Sequence, residues 1–175
     1  EMAEGDGHIK TGSVRRLIAG EPIGVFYGYR FDGIFQNEEE CKQQTSSASP
    51  IGVGLRRYKD LNGDGKVDAA NDREILGDAN PKFFGGLTNT FAYKGFELNV
   101  FLQYSYGNKI LNYNAMELEN PTGGQNAYAD MVNRWTPENP SNIYPKATTN
   151  RAILASDRFI EDGSYLKLKT LSLSY

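Results

Sequence analysis

The chain has 175 residues, 39% of them hydrophobic, with 19 glycines, 11 tyrosines, 9 phenylalanines and one tryptophan, a composition that favours strands and turns over a helical core. A net charge of -3 leaves no basic footprint for a nucleic-acid backbone, and no run reaches the roughly 18 apolar residues of a membrane-spanning helix. Alternating strands average to a polar hydropathy, so a membrane β-barrel stays open where a helical membrane protein is excluded.

Residues 8–19 read as a mixed, moderately β-prone stretch that Gly20-Glu21-Pro22 punctuates. In the next stretch Val25, Tyr27, Tyr29 and Phe31 occupy alternate positions, with Gly28, Arg30 and Asp32 on the other face, which predicts a strand with one strongly aromatic side. That aromatic series could stack sugars, pack against other elements or face lipid. From Asn37 to Pro50 the composition turns to Glu, Gln, Ser and Thr, and the expectation is a mobile loop. Cys41 lies in it as the only cysteine, with no disulfide partner and no activating neighbour, and reads as an ordinary loop thiol.

Two alternating runs in 83–106 flank Lys94-Gly95, where glycine supplies the positive φ that a two-residue turn requires. They predict a hairpin in which Tyr93 opposes Phe96, Phe91 opposes Leu98, Asn89 opposes Val100 and Leu87 opposes Leu102. One face then runs from Tyr93 and Phe96 through Leu98, Val100 and Leu102 to Tyr104, Tyr106 and Phe83; the other, largely polar, carries Glu97, Asn99, Phe101, Gln103 and Ser105, with Phe84 across from Ser105. The length of Phe96–Tyr106 suits the roughly 9–11 residues of a tilted transmembrane strand, and aromatic ends around an aliphatic band suit a barrel's outer face. A soluble sandwich hairpin with an aromatic core has the same alternation, and both readings stand on this pattern.

Residues 107–157 form a long interval rich in Asn, Pro, Gly and Thr, with short helices expected at Ala115–Glu119 and Ala127–Trp135. So long a connection belongs on the extracellular side of a barrel more readily than inside a compact soluble domain. In Gly163–Tyr175 the apolar phase changes: Leu166 and Leu168 are even, Leu171 and Leu173 odd. One extra residue near Lys169-Thr170, a β-bulge, would restore a single apolar face.

The sharpest chemical signal is Asp60-Leu61-Asn62-Gly63-Asp64-Gly65-Lys66-Val67-Asp68, which sets short oxygen-bearing side chains at alternate positions in a loop that Gly65 lets curl. By analogy with EF-hand loops, Asp60, Asn62 and Asp64 would bind Ca²⁺ directly, Lys66 through its carbonyl, and Asp68 directly or through water. The twelfth position is Asn71 instead of a bidentate Glu, followed by Asp72, and either could close the shell. The competing reading is an Asx-turn loop without metal. Residues 56–59 look like a strand end, so a helix–loop–helix sensor is not expected.

Catalytic patterns are missing. His8 is the only histidine, Glu161-Asp162 reads as a solvated turn pair, and Gly5-Asp6-Gly7 and Gly123-Gly124 lack the strand–turn–helix setting of a phosphate loop. No enzyme is expected.

Six segments in order carry a resemblance: Pro22–Tyr29 with Asp32–Gln36, Asp60–Asp68, Ile75–Lys82, Arg134–Asn139, Tyr144–Lys146 and Phe159–Lys169. Together they resemble the C-terminal barrel region of SusC/RagA-type TonB-dependent receptors. The resemblance implies a bacterial outer-membrane location and a 22-stranded antiparallel β-barrel in contact with lipid. It also implies an N-terminal plug, contact with TonB, and import of glycans or peptides with a SusD-like lipoprotein. Residues 1–175 would be the C-terminal portion of that barrel, with the plug and final strands outside them. Similar sequences commonly place an Asp where Asn71 stands. The alternative is a secreted, calcium-stabilised β domain that binds carbohydrate.

Overall fold

A computed structural model describes residues 9–10, 14–119, 126–149 and 153–175. In chain order its strands are β1 (Ile9–Lys10), β2 (Arg15–Leu17), β3 (Val25–Tyr29), β4 (Phe31–Ile34), β5 (Thr45–Ser46), β6 (Arg56–Tyr58), β7 (Lys66–Val67), β8 (Arg73–Gly77), β9 (Phe83–Tyr93), β10 (Phe96–Tyr106), β11 (Lys109–Leu111), β12 (Ile160–Asp162) and β13 (Tyr165–Ser174). The helices are short: α1 (Glu38–Gln43), α2 (Tyr113–Leu118) and 3₁₀ turns at Ala129–Asn133 and Asp157–Phe159. Among the described residues no helix is long and apolar enough to cross a membrane. The fold is all-β.

Two unlike parts result. The first holds the buried residues, with Phe26, Phe35 and Phe159 at about 1–2% exposure, around a sheet ordered β1-β2-β3-β8. Its centre is β3, buried on both faces. The Tyr29 ring meets Tyr58 at 5.7 Å beside Val67, and Arg16 and Arg73 lie over Tyr27. Tyr27 and Tyr29 are therefore core residues and neither stack sugars nor face lipid. The run also breaks at Arg30, because β4 leaves the sheet to pair with β6.

The expected mobile loop at 37–50 is instead ordered. Asn37 caps α1 by accepting the Glu40 N–H at 2.8 Å, and Glu38, Glu39 and Glu40 fill the first turn, where the helix dipole favours negative charge. β5 then pairs in parallel with β7 and the Gln44 amide donates to the Tyr58 carbonyl. A polar segment that cannot build a core is held by hydrogen bonds to one that has. Both short helical stretches expected in 107–157 are present as α2 and the 3₁₀ turn at Ala129–Asn133.

The second part is a bare three-stranded sheet ordered β13-β10-β9. The β9–β10 register matches the expected one throughout, Tyr93 to Phe96 and Phe83 to Tyr106, around Lys94 (φ 47°) and Gly95 (φ 86°), the left-handed pair of a type I′ turn. On β13, Thr170 faces Phe101 and Leu168 faces Leu102, which leaves Lys169 as the unpaired extra residue of a bulge. Past the bend at Gly107 and Gly163, β11 and β12 continue the β10–β13 pairing toward the buried part.

Gly28 marks the tightest approach within that part: a Cβ there would lie 2.3 Å from the Ala155 carbonyl oxygen, which accepts the Tyr29 N–H at 2.9 Å. Gly28→Ala should push residues 155–156 off β3 and destabilise this part by about 1–3 kcal/mol. Hydrogen exchange at the Tyr29 amide checks it; unchanged protection would refute the contact's role.

Candidate functional site

The acidic loop is built on its own carboxylates. Gly63 and Gly65 take φ of 75° and 81°, so the chain curls and their N–H groups donate to the two Asp60 oxygens at 2.7 Å each. Asn62 Oδ1 accepts the Asp64 N–H at 3.2 Å, and Asp64 Oδ1 accepts the Lys66 N–H at 2.8 Å. Asp68 Oδ1 accepts from Asn71 at 2.9 Å and Ala70 at 3.0 Å, while Lys66 Nζ stands 3.2 Å from its other oxygen. The Asn71 N–H and the Lys66 ammonium hold the Asp68 carboxyl below the usual carboxylate range.

Asp72 differs from the rest. It is fully buried, and its oxygens accept the N–H of Leu61 at 2.8 Å and of Asp68 at 2.7 Å, tying the start of the loop to its end. Asn71 is exposed. The structure thus brings Asp60, Asn62, Asp64 and Lys66 onto one curl, sets Asp68 at its edge and uses Asp72 as a brace. Among the described residues no three acidic, His or Cys side chains form a ready cluster. A cation here would need amide and carbonyl oxygens as well. The Gly65 and Val67 carbonyls are taken by Thr45 and Ser47, so the β5–β7 pairing leaves the intervening Lys66 carbonyl aside. A set of carboxylate, amide and carbonyl oxygens is the donor chemistry that Ca²⁺ takes, whereas Mg²⁺ demands near-ideal octahedral geometry.

The other expected bystanders behave as such. The Asn112 amide donates to Glu161 at 2.7 Å, and Ser164 with Lys109 holds Asp162 down to about 2. Burial, with Glu38 and Glu40 nearby, pushes the Cys41 thiol up and away from reactivity. His8, Gly5-Asp6-Gly7 and Gly123-Gly124 lie outside the described residues.

On the bare sheet the bulge settles the faces. Leu173, Leu171, Leu168 and Leu166 pair with Leu98, Val100, Leu102 and Tyr104, so all stand on the side that also carries Leu87 and Phe91 of β9. Leu166, Leu171 and Leu173 are 72%, 64% and 69% exposed, far more than a sandwich core would leave. Phe83 stacks on Tyr106 at 4.9 Å at one end and Phe96 meets Tyr175 at 4.7 Å at the other, with aliphatic residues between. The reverse side is mostly polar, with Glu97, Asn99, Gln103, Lys167, Thr170 and Ser172, and also carries Phe101 and the exposed Phe84.

No family model matches the chain. TonB-dependent receptor P3 of Formosa agariphila is 38% identical over 169 residues, covering 97% of this chain, and TonB-dependent receptor P26 of the same organism is 33% identical over 162 residues, covering 91%. The chain belongs to the TonB-dependent receptors. It spans 16% of the length of each of those two receptors. Solved structures of the RagAB peptide transporter and of the RagAB peptide importer in its closed-closed state share the fold, with TM-scores of 0.70 and 0.67 at 22% and 21% identity, each covering 94% of this chain. The receptor is an outer-membrane protein, which sets aside the secreted-domain alternative.

Within this receptor, Asp72→Ala would strip two N–H groups of their acceptor at a buried position, at a cost of about 1–3 kcal/mol for each. Limited proteolysis should then cut between residues 55 and 80, whereas Asp64→Ala, at an exposed position, should have a smaller effect. Equal sensitivity of the two variants would show that Asp72 is no brace.

Proposed function

We propose that the chain is the C-terminal portion of a transmembrane antiparallel β-barrel with long extracellular loops, in a receptor that imports nutrients across the outer membrane. The observation that carries this reading is the bare sheet, 10–11 residues per strand, with one aliphatic face bounded by aromatic residues and one mostly polar face. In lipid every backbone N–H and C=O must be paired, so the outer edges of β9 and β13 call for neighbouring strands, and only a closed barrel supplies them all. The lipid side is then the leucine face and the lumen side the face of Asn99, Gln103 and Thr170. Energy arrives through TonB, at a region outside this chain, and a SusD-like lipoprotein delivers glycans or peptides from the surface. The likeness to a peptide transporter in fold supports an importer, and the relatives are receptors rather than enzymes.

The adjacent residues Leu171 and Ser172 test the assignment of faces. In the full receptor Leu171→Arg should cost about 2–4 kcal/mol near the bilayer midplane and abolish heat-modifiable gel migration, while Ser172→Arg, in the lumen, should assemble and alter only uptake. The reading fails if Ser172→Arg disrupts assembly as strongly as Leu171→Arg does.

We also propose that loop 60–72 holds a structural Ca²⁺ through Asp60, Asn62, Asp64, the Lys66 carbonyl and Asp68, with Asp72 a better closing residue than the exposed Asn71. The ion would order an extracellular loop and take no part in chemistry. Oxygen distances near 2.3–2.6 Å are expected. Chelation should expose segment 55–80 to protease while the membrane strands stay assembled; indifference to chelator would leave an Asx-turn loop only.

A further inference from the structure

Away from the bare sheet lies a charged cluster formed by Arg56, Glu119 and Arg158. Arg158 donates to Glu119 Oε2 through Nε at 2.9 Å and approaches it through Nη2 at 2.7 Å, with both side chains near 12–13% exposed. Its guanidinium sits 5.2, 5.4 and 5.9 Å from the ring centres of Phe31, Tyr144 and Phe159. That carboxylate is therefore committed to Arg158 in a dry aromatic setting.

Arg56 enters the same cluster with less. Its Nη2 reaches only the Glu119 backbone carbonyl, at 3.3 Å, and its Nε is sealed from solvent with no hydrogen-bond partner among the described residues. Burial pushes the guanidinium below its usual value and Arg158 acts in the same direction, while Tyr58 and Glu119 act against them. Two guanidinium groups thus share one carboxylate. Arg56 is half-buried, and a carboxylate already bonded to Arg158 balances its charge only in part, which costs free energy unless something compensates it.

Beside Arg56 is a cavity of about 30 Å³ lined by Ser49, Leu55, Arg56, Tyr58 and Thr148. It has room for one water-sized group and none for a sugar ring or a peptide. We propose that this cavity is a small-anion site in which a single monovalent ion of chloride size accepts from Arg56 Nε and balances the second guanidinium. A water molecule would satisfy the N–H but leave the charge uncompensated. The ion would lock β6 to the segment carrying Pro50 and Leu55, and so stiffen the surface part of the receptor.

Crystals of the full receptor soaked in sodium bromide should give an anomalous peak within about 3.5 Å of Arg56 Nε. In solution, hydrogen exchange across 49–58 should slow several-fold in chloride relative to gluconate at the same ionic strength, and the difference should vanish in Arg56→Gln. The wild-type comparison needs no variant. The site is overturned if the cavity holds no bromide while other halide positions fill, or if exchange is the same in both salts.

Discussion

Everything on the bare sheet depends on one constraint: β10 must offer the same face to β9 on one side and to β13 on the other. Side chains alternate with a period of two, so a slip of one residue would turn half of β13 inside out. Leu171 and Leu173 are out of phase with Leu166 and Leu168, and only the unpaired Lys169 between them lets all four stand beside Leu98, Val100, Leu102 and Tyr104. The bulge is where a sequence with two phases becomes a surface with one. Without it Lys167 would join the leucines, and no face would be uniformly apolar.

The buried part obeys a different rule, because its strands are too short to hold one another. β5 and β7 have two residues each and β6 has three. Side-chain acceptors take over the work of ladders: Asp72 clamps the ends of the acidic loop, Asp157 accepts the Phe31 N–H at 2.8 Å, and Asn142 accepts that of Ile34 at 3.0 Å. Such bonds span large separations in sequence and lie over a core of Phe26, Phe35 and Phe159, which is why loops this polar can be ordered.

These two regimes decide what could be read in advance. The hairpin, its register and the bulge were legible because period-two alternation and the Lys94-Gly95 turn are local signals, and the two faces of this sheet differ in polarity. β3 was legible as a strand but not as one covered on both sides: with Phe26 and Tyr27 both buried, alternation says nothing about which side is covered. The helix at 38–43 escaped a composition argument because one Asn37 cap outweighed it. Spacing named the curl of the acidic loop, yet the burial of Asp72 depends on how the loop closes. The Arg56–Glu119–Arg158 cluster had no sequence signal, since its members are 63 and 39 residues apart.

The asymmetry of the connections carries the argument one step further. At the Phe96 end of the sheet β9 and β10 are joined by two residues, Lys94 and Gly95, with the Lys94 ammonium over the Tyr93 ring at 5.2 Å. At the Phe83 end lie β11, β12 and the whole buried part. Barrels of the outer membrane keep short turns on the periplasmic side and long connections outside. On the receptor reading, then, the acidic loop and the Arg56 cavity both face the external medium. Ions that this part of the chain holds would be drawn from outside the cell, and their concentration there, not in the periplasm, would set how rigid the receptor's surface is.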